Sequence, residues 1–96
     1  EDFDADDKMV SKAVVGAIGD CYWDMDDAKK ATTYYEKAIA GENAVIAPIF
    51  GKRLATAYLS LGEKEKAVEV LENLVKTYPG ASNVQELKKL LQIAKN

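Results

Sequence analysis

The stretch GDCYWDMDDAKKATTYYEKA, from Gly19 to Ala38, gathers most of the side chains that could do chemistry. It holds Cys21, which is the one thiol of the chain, beside tyrosines and aspartates, and the 96 residues include no histidine. A nucleophilic thiol needs a neighbouring base, and zinc sites are built mainly from several thiolates or imidazoles. We therefore expect no catalytic residues and a protein that is not an enzyme.

Two acidic stretches resemble the start of a calcium loop. Such a loop needs glycine at its sixth position and glutamate at its twelfth. The loop that would begin at Asp2 has Asp7 and Ala13 there, and the one that would begin at Asp24 has Tyr35 in place of the glutamate. With no glycine-rich phosphate loop either, we expect no metal and no cofactor.

Charge and hydropathy exclude further classes. The net charge of −3 argues against nucleic-acid binding. The charge is uneven, since residues 1–48 carry a net −6 and residues 49–96 a net +3. This predicts either a solvated acidic terminus or a dipolar molecule that stacks head to tail. No apolar run is long enough to span a bilayer, so we expect no membrane contact by these residues, and the start without Met suggests part of a longer protein.

Apolar residues recur at steps of three and four along nearly the whole chain, which predicts helices and no sheet. The breaks predict five of them. Asp26 or Asp27 caps the second helix, Gly41 ends it in a left-handed conformation, and Asn43 caps the third, whose regular start Pro48 can delay. Gly62 marks the next turn. The segment YPGAS stops the fourth helix, and Ser82 with Gln85 forms a capping box for the fifth.

The chain repeats itself at a shift of 36 residues. The matched positions are Ile18 with Leu54, Gly19 with Ala55, Tyr22 with Tyr58, Asp26 with Gly62, Ala31 with Ala67, Tyr35 with Leu71 and Ala38 with Leu74. In this pattern the chain resembles the tetratricopeptide repeat, a pair of antiparallel helices of about 34 residues. It departs from the family at Leu74, where Ala is preferred, at Asp26, where Gly is preferred, and by lacking the closing proline in the first repeat.

The resemblance implies an all-α fold of stacked antiparallel helical hairpins, an α-solenoid. We predict a single domain over 1–96, with repeat 1 at about 12–45, repeat 2 at about 48–81 and a capping helix at 82–95. Close helix contact at Gly19 and Ala31, and again at Ala55 and Ala67, explains the small residues. Tyr22 and Tyr35 then fill the opening of the hairpin, and we expect Cys21 to be a small buried residue.

A narrower resemblance covers most of residues 3–81. The segments FDADDKMVSKAVVGAIGDCYWDM, YYEKA, APIF and YPGAS look like the C-terminal part of bacterial tetratricopeptide proteins anchored by one N-terminal transmembrane helix. Those proteins resemble the ancillary subunit of the secretion translocon. The resemblance implies an N-terminal anchor outside this sequence and a location on the extracytoplasmic face of a bacterial inner membrane.

The family architecture places the first helix of each repeat along a concave groove. The repeat register predicts that Gly16 and the following side chains face it: Asp20, Trp23, Asp24, Ile49, Lys52, Arg53, Thr56 and Leu59. Trp23 either anchors a bound protein or packs on the next hairpin or on the stem of Lys52. Family members that clamp a chaperone tail use Lys and Asn where this chain has Gly16 and Asp20, so that ligand is not expected.

These patterns predict a non-catalytic module that binds a protein or peptide partner in its groove, as part of a membrane-anchored bacterial scaffold or secretion-linked factor. A mixed-charge or extended polypeptide would suit the acidic first half beside Lys52 and Arg53. The alternative is an assembly module, a homo-oligomer in which the acidic end of one copy meets the basic end of another.

Overall fold

A computed structural model describes residues 8–41 and 43–96, with side chains from residue 12 onward. The described residues form five α-helices and no strand, which confirms the all-α prediction. The helices are α1 (Lys8–Asp24), α2 (Ala28–Ile39), α3 (Ile46–Ser60), α4 (Lys64–Thr77) and α5 (Val84–Lys95). Because the connections are short, consecutive helices run antiparallel.

The start of α2 decides between the two candidate caps. The Oδ1 atom of Asp27 accepts a hydrogen bond from the backbone N–H of Lys30 at 3.1 Å, so Asp27 is the cap. Asp26 instead takes a φ of 66°, the left-handed conformation that Gly62 adopts at the equivalent turn with a φ of 77°. The repeat overlay therefore pairs two residues with the same backbone geometry.

The residue before α3 is Val45, which makes no side-chain capping bond, so the predicted cap Asn43 lies two residues further upstream. The side-chain oxygen of Asn43 accepts hydrogen bonds from the backbone N–H groups of Val45 and Ile46 at 2.8 and 2.9 Å. Pro48 does not delay the helix, which begins at Ile46. It lies in the first turn, where a missing N–H breaks no helical hydrogen bond.

Two predicted caps are wrong. Gly41 is not left-handed, since α2 ends through Ala40 in a right-handed conformation whose N–H donates to the carbonyl oxygen of Glu36. The capping box is absent as well. Helix α5 begins at Val84, and its cap residue Asn83 makes no side-chain capping bond. The Asn83 amide instead donates to the carbonyl oxygen of Pro48 at 3.2 Å, which ties α5 to the start of α3.

The helices form two layers. Each helix packs on its neighbours in sequence, and in addition α1 approaches α3 and α3 approaches α5, whereas the backbones of α2 and α4 stay more than 8 Å apart at every Cα pair. The layer of α1, α3 and α5 is therefore the tighter one, and the stack curves towards it. This places a concave surface along these three helices.

The core lies between the layers and depends on close approach at small residues. Ala31, Ala55 and Ala67 are fully buried, as the hairpin packing requires. A Cβ atom on Gly19 would lie 2.8 Å from the ring of Tyr35, which leaves room only for hydrogen. Tyr35 is buried, whereas Tyr22 is half-buried and stacks on Tyr34 with ring centroids 5.3 Å apart.

The prediction of a buried Cys21 is wrong. The residue is exposed, since in the helical register it lies on the opposite side of α1 from Gly19, which points towards the ring of Tyr35. From residue 12 onward, the buried positions of this helix are Gly16 and Gly19, which point towards the rings of Phe50 and Tyr35 respectively.

Candidate protein-binding groove

A cavity of about 370 Å³ opens on the concave surface between α1, α3 and the start of α5. It lies in the groove that the sequence predicted. Its walls are formed by Asp20, Trp23, Tyr35, Ile49, Lys52, Arg53, Thr56, Asn83 and Glu86.

Six of the eight predicted groove residues line this cavity: Asp20, Trp23, Ile49, Lys52, Arg53 and Thr56. The other two lie elsewhere. Asp24 is exposed at the last position of α1, and Leu59 is half-buried against the hydrophobic core. Our expectation for Gly16 is wrong, because this residue is buried and a Cβ atom there would lie 2.5 Å from the ring of Phe50.

Three wall residues escaped the sequence analysis. Tyr35 was assigned wholly to the core, but its hydroxyl reaches the groove and donates a hydrogen bond to Oδ1 of Asp20. Glu86 belongs to α5 and Asn83 is the residue before it, and the sequence pattern predicted this helix only as a cap. Helix α5 takes the position that the first helix of a third repeat would have, in line with α1 and α3. Extending the repeat register to α5 therefore places its N-terminal turn in the groove.

Asp20 is the centre of a network that joins three helices. Its Oδ1 accepts from the Tyr35 hydroxyl of α2, and its Oδ2 lies 2.7 Å from Nη1 of Arg53 in α3. The Arg53 guanidinium also lies over the ring of Phe50, 5.2 Å from its centroid. Burial, followed by the hydrogen bond to Asp20, raises the pKa of the Tyr35 hydroxyl well above its usual value.

A second ion pair closes the other side of the groove. Nζ of Lys52 lies 2.8 Å from Oε1 of Glu86, which links α3 to α5. This hydrogen bond and the positive charge hold the pKa of the Glu86 carboxyl below its usual range. The four charged side chains that line the cavity therefore neutralise one another in two pairs, and neither Lys52 nor Arg53 is a free cation.

The apolar groups of the groove are more open. Trp23 and Ile49 keep 38% and 43% of their surfaces exposed although both line the cavity. Large exposed side chains of this kind, surrounded by polar groups, are the usual anchors of protein interfaces. The groove can therefore offer apolar contact at its walls and hydrogen bonding through its paired charges.

The groove offers a surface for binding, with apolar walls and paired charges. Within the described residues, no group of three or more His, Cys, Asp or Glu side chains could hold a metal ion. The tyrosine in the groove keeps its proton more tightly than usual, which is the opposite of what a general base requires. None of the helices of the described chain is both long and apolar enough to cross a membrane.

A family model described as tetratricopeptide repeat matches residues 22–91. The chain belongs to the tetratricopeptide repeat family, whose members mediate protein–protein interaction and are typically non-catalytic. Comparison with curated protein sequences and with solved structures gave no match.

Proposed function

We propose that this protein is a non-catalytic module that holds a polypeptide partner in the groove of α1, α3 and α5. The observation that carries the proposal is the cavity that brings Trp23 and Ile49 together with two neutralised ion pairs. Since the charges are paired, a ligand gains most by covering the two apolar walls. The partner proposed is an extended segment with apolar side chains and charges of both signs.

The paired charges argue against a ligand recognised by one terminal carboxylate. Such a ligand needs an unoccupied cation, whereas Arg53 is engaged by Asp20 and Lys52 by Glu86. A mixed-charge segment can instead exchange partners with both pairs, because all four side chains are 38–61% exposed.

The cellular role proposed is that of a membrane-anchored bacterial scaffold or secretion-linked factor, with this domain on the extracytoplasmic side. It is supported by the resemblance of residues 3–81 to the anchored tetratricopeptide proteins. Fractionation of cells that make the full-length protein tests it, since an anchored protein stays with the membrane after a high-salt wash.

Photo-crosslinking in cells tests the groove. A photoreactive residue replaces Trp23 in the full-length protein, and a matched variant carries it at Lys30, an exposed residue of α2 outside the groove cavity. We expect one defined protein adduct from position 23, identified by mass spectrometry, and none of that partner from position 30. Equal labelling at both positions would contradict the proposal.

Self-association is the second outcome that this experiment separates. Adducts between copies at position 23, with no other protein, would make the domain an assembly module. Sedimentation velocity then decides whether charge drives it, because head-to-tail contacts between an acidic and a basic half weaken in high salt.

A further inference from the structure

A second groove runs along the other layer, between α2 and α4. These two helices run in the same direction, because each is antiparallel to α3, and their Cα atoms stay more than 8 Å apart at every pair. Two adjacent cavities of about 340 and 410 Å³ lie in the gap, and both are lined by Glu36, Ile39, Asn73 and Leu74. We call this surface the α2/α4 groove. None of its described lining residues lines the concave cavity.

The α2/α4 groove offers apolar contact. Ile39 of α2 and Val70 of α4 line it and are half-buried, and Leu74 of α4 is buried. All three belong to or pack against the hydrophobic core, which holds their side chains in place. Part of the Ile39 and Val70 surfaces stays in water, and a segment laid along the groove with apolar side chains would cover it.

The charge of the α2/α4 groove is one-sided. Within the described chain, Glu36 and Glu69 are its charged lining residues, and no lysine or arginine lines it. Neither glutamate forms an ion pair with a described residue. Lys66, one turn before Glu69 in α4, pairs instead with Glu63 at 3.5 Å. In contrast to the neutralised concave cavity, this groove therefore carries two negative charges for which the described chain supplies no cation.

The carboxylate of Glu36 is held in position at the groove. Its Oε2 atom accepts a hydrogen bond from the hydroxyl of Tyr58, which is buried. Burial, followed by this hydrogen bond and by the charges of neighbouring glutamates that include Glu69, raises the pKa of the Tyr58 hydroxyl. The hydroxyl stays neutral, so it orients Glu36 without cancelling its charge. Both carboxylates act on one hydroxyl, which places them at the same part of the groove.

The side chain that fits this combination is arginine. Two carboxylates without a cation require a basic group, and the half-buried walls favour one on a long aliphatic stem. The planar guanidinium has five N–H donors, so it can bind more than one carboxylate, whereas a lysine ammonium is a single point of charge. Acidic segments and nucleic acids would be repelled by Glu36 and Glu69.

A second copy of the chain does not supply such a group. Arg53 is the one arginine of the 96 residues, and it lies 2.7 Å from Asp20 in the concave groove. Lys89 of α5 is followed by Leu90, which packs against the core of its own chain. The arginine must therefore come from a different protein.

We propose that the α2/α4 groove is a docking surface for an arginine-containing segment of a partner protein. Glu36 and Glu69 bind the guanidinium, and the apolar neighbours of that arginine pack on Ile39 and Val70. The surface lies outside the concave groove, so this inference does not depend on the polypeptide proposed to bind there.

A defined peptide tests the surface by nuclear magnetic resonance of the complete, isotope-labelled chain. The probe is the blocked peptide acetyl-Ala-Leu-Arg-Leu-Ala-amide. We expect the backbone amide signals of Glu36, Ile39 and Asn73 to shift and to saturate with a Kd of about 1 mM or below. The indole N–H signal of Trp23 reports on the concave groove and should not shift with the same saturation curve.

Matched changes in the peptide and in the protein test the role of charge. Citrulline in place of the arginine keeps the shape and removes the charge, and it should weaken binding by about fivefold or more. Glu69→Gln should raise the Kd about two- to fivefold. Glu72→Gln makes the same change at an exposed residue of α4 that lines neither cavity, and it should leave the Kd unchanged.

Five results would overturn the proposal. The first is the absence of saturating shifts in the α2/α4 groove up to about 10 mM peptide. The second is equal affinity for the citrulline peptide or for a peptide with lysine in place of arginine. The third is an equal effect of Glu69→Gln and Glu72→Gln.

The remaining two results would assign the binding elsewhere. Signals of the α2/α4 groove that shift with protein concentration alone would give this surface to a second copy of the chain. Shifts confined to Trp23 and its surroundings would place the peptide in the concave groove, which contradicts this inference and leaves the proposed function standing. Circular dichroism of each variant shows that its helices are intact.

Discussion

Asp20 of α1 and Arg53 of α3 are 33 positions apart in the sequence, and their side chains form an ion pair at 2.7 Å across the two hairpins. The same carboxylate accepts a hydrogen bond from the hydroxyl of Tyr35 in α2. One aspartate therefore links the two hairpins at the point where the groove is formed. This makes the geometry of the proposed binding site depend on a surface contact.

A double-mutant cycle on this pair should give a small coupling energy. Asp20→Asn and Arg53→Gln remove the charges singly and together, and the side chains are 38% and 48% exposed. We expect a coupling of about 0.5–1 kcal/mol in urea unfolding at low salt, falling in high salt. A coupling that is zero at low salt would show that the pair does not join the hairpins.

High pH should destabilise the protein through two buried tyrosines. Burial, followed by hydrogen bonds to Asp20 and Glu36, raises the pKa values of Tyr35 and Tyr58 above the value of 10.0 for a free tyrosine. Above that pH the unfolded chain loses protons that the folded chain keeps. The free energy of unfolding therefore falls as pH rises, by up to about 1.4 kcal/mol per unit for each tyrosine.

The measurement is urea unfolding between about pH 9 and 11.5. The double variant Tyr35→Phe and Tyr58→Phe is the control, because it keeps every lysine and its titration. We expect the free energy of unfolding to fall less steeply with pH in the double variant than in the native protein. Parallel curves for the two proteins would contradict the assignment to these tyrosines.

A methyl group at Gly16 should destabilise the fold. The Cβ atom of an alanine would lie 2.5 Å from the ring of Phe50, so that the ring must move. Overpacking of this kind costs about 1–3 kcal/mol, which the better helix propensity of alanine offsets only in part. We expect a net loss of about 1–2 kcal/mol in chemical unfolding.

Gly80→Ala is the matched control for that loss. No atom of another part of the chain lies within 4 Å of the Cβ position at Gly80. The free energy of unfolding of the Gly80→Ala variant should therefore stay within about 0.5 kcal/mol of that of the native protein. If both substitutions cost the same, the contact between Gly16 and Phe50 is not the cause.

Substitutions in the two turns that follow α1 and α3 should change the stability of the fold in opposite directions. Gly62 and Asp26 both have a positive φ, of 77° and 66°. Gly62→Ala should cost about 1–2 kcal/mol, because a Cβ atom is disfavoured in the left-handed conformation. Asp26→Gly should be neutral or stabilising by up to about 1 kcal/mol, and thermal unfolding of the two variants checks both signs. Destabilisation by Asp26→Gly would mean that the aspartate side chain supports the turn.

The sequence predicted the helices and the inner packing because both depend on local pattern and residue size. Gly19, Ala31, Ala55 and Ala67 lie where the helices approach closely, and their recurrence at a shift of 36 residues helped to place the two hairpins. The overlay of Asp26 on Gly62 also identified a shared turn, although the residue types differ.

The groove was predicted less completely, for a physical reason. A helical register gives the direction of a side chain but not its length or partner. Register placed Lys52 and Arg53 in the groove, yet it did not show that Glu86 and Asp20 neutralise them. Gly16 and Cys21 were misplaced because small residues occur on both the packed and the outer faces of α1, and type alone does not separate the two.

The order of helix contacts has a consequence for folding kinetics. Every helix packs on its neighbours in sequence, with further contacts only one helix beyond. Contacts of short sequence separation close small loops, so the search for native pairings is fast and can begin at any hairpin. The same order makes the outer helices the first to open, since α1 and α5 have a sequence neighbour on one side only. Amide exchange should therefore be slowest in α3 and progressively faster towards both ends of the chain.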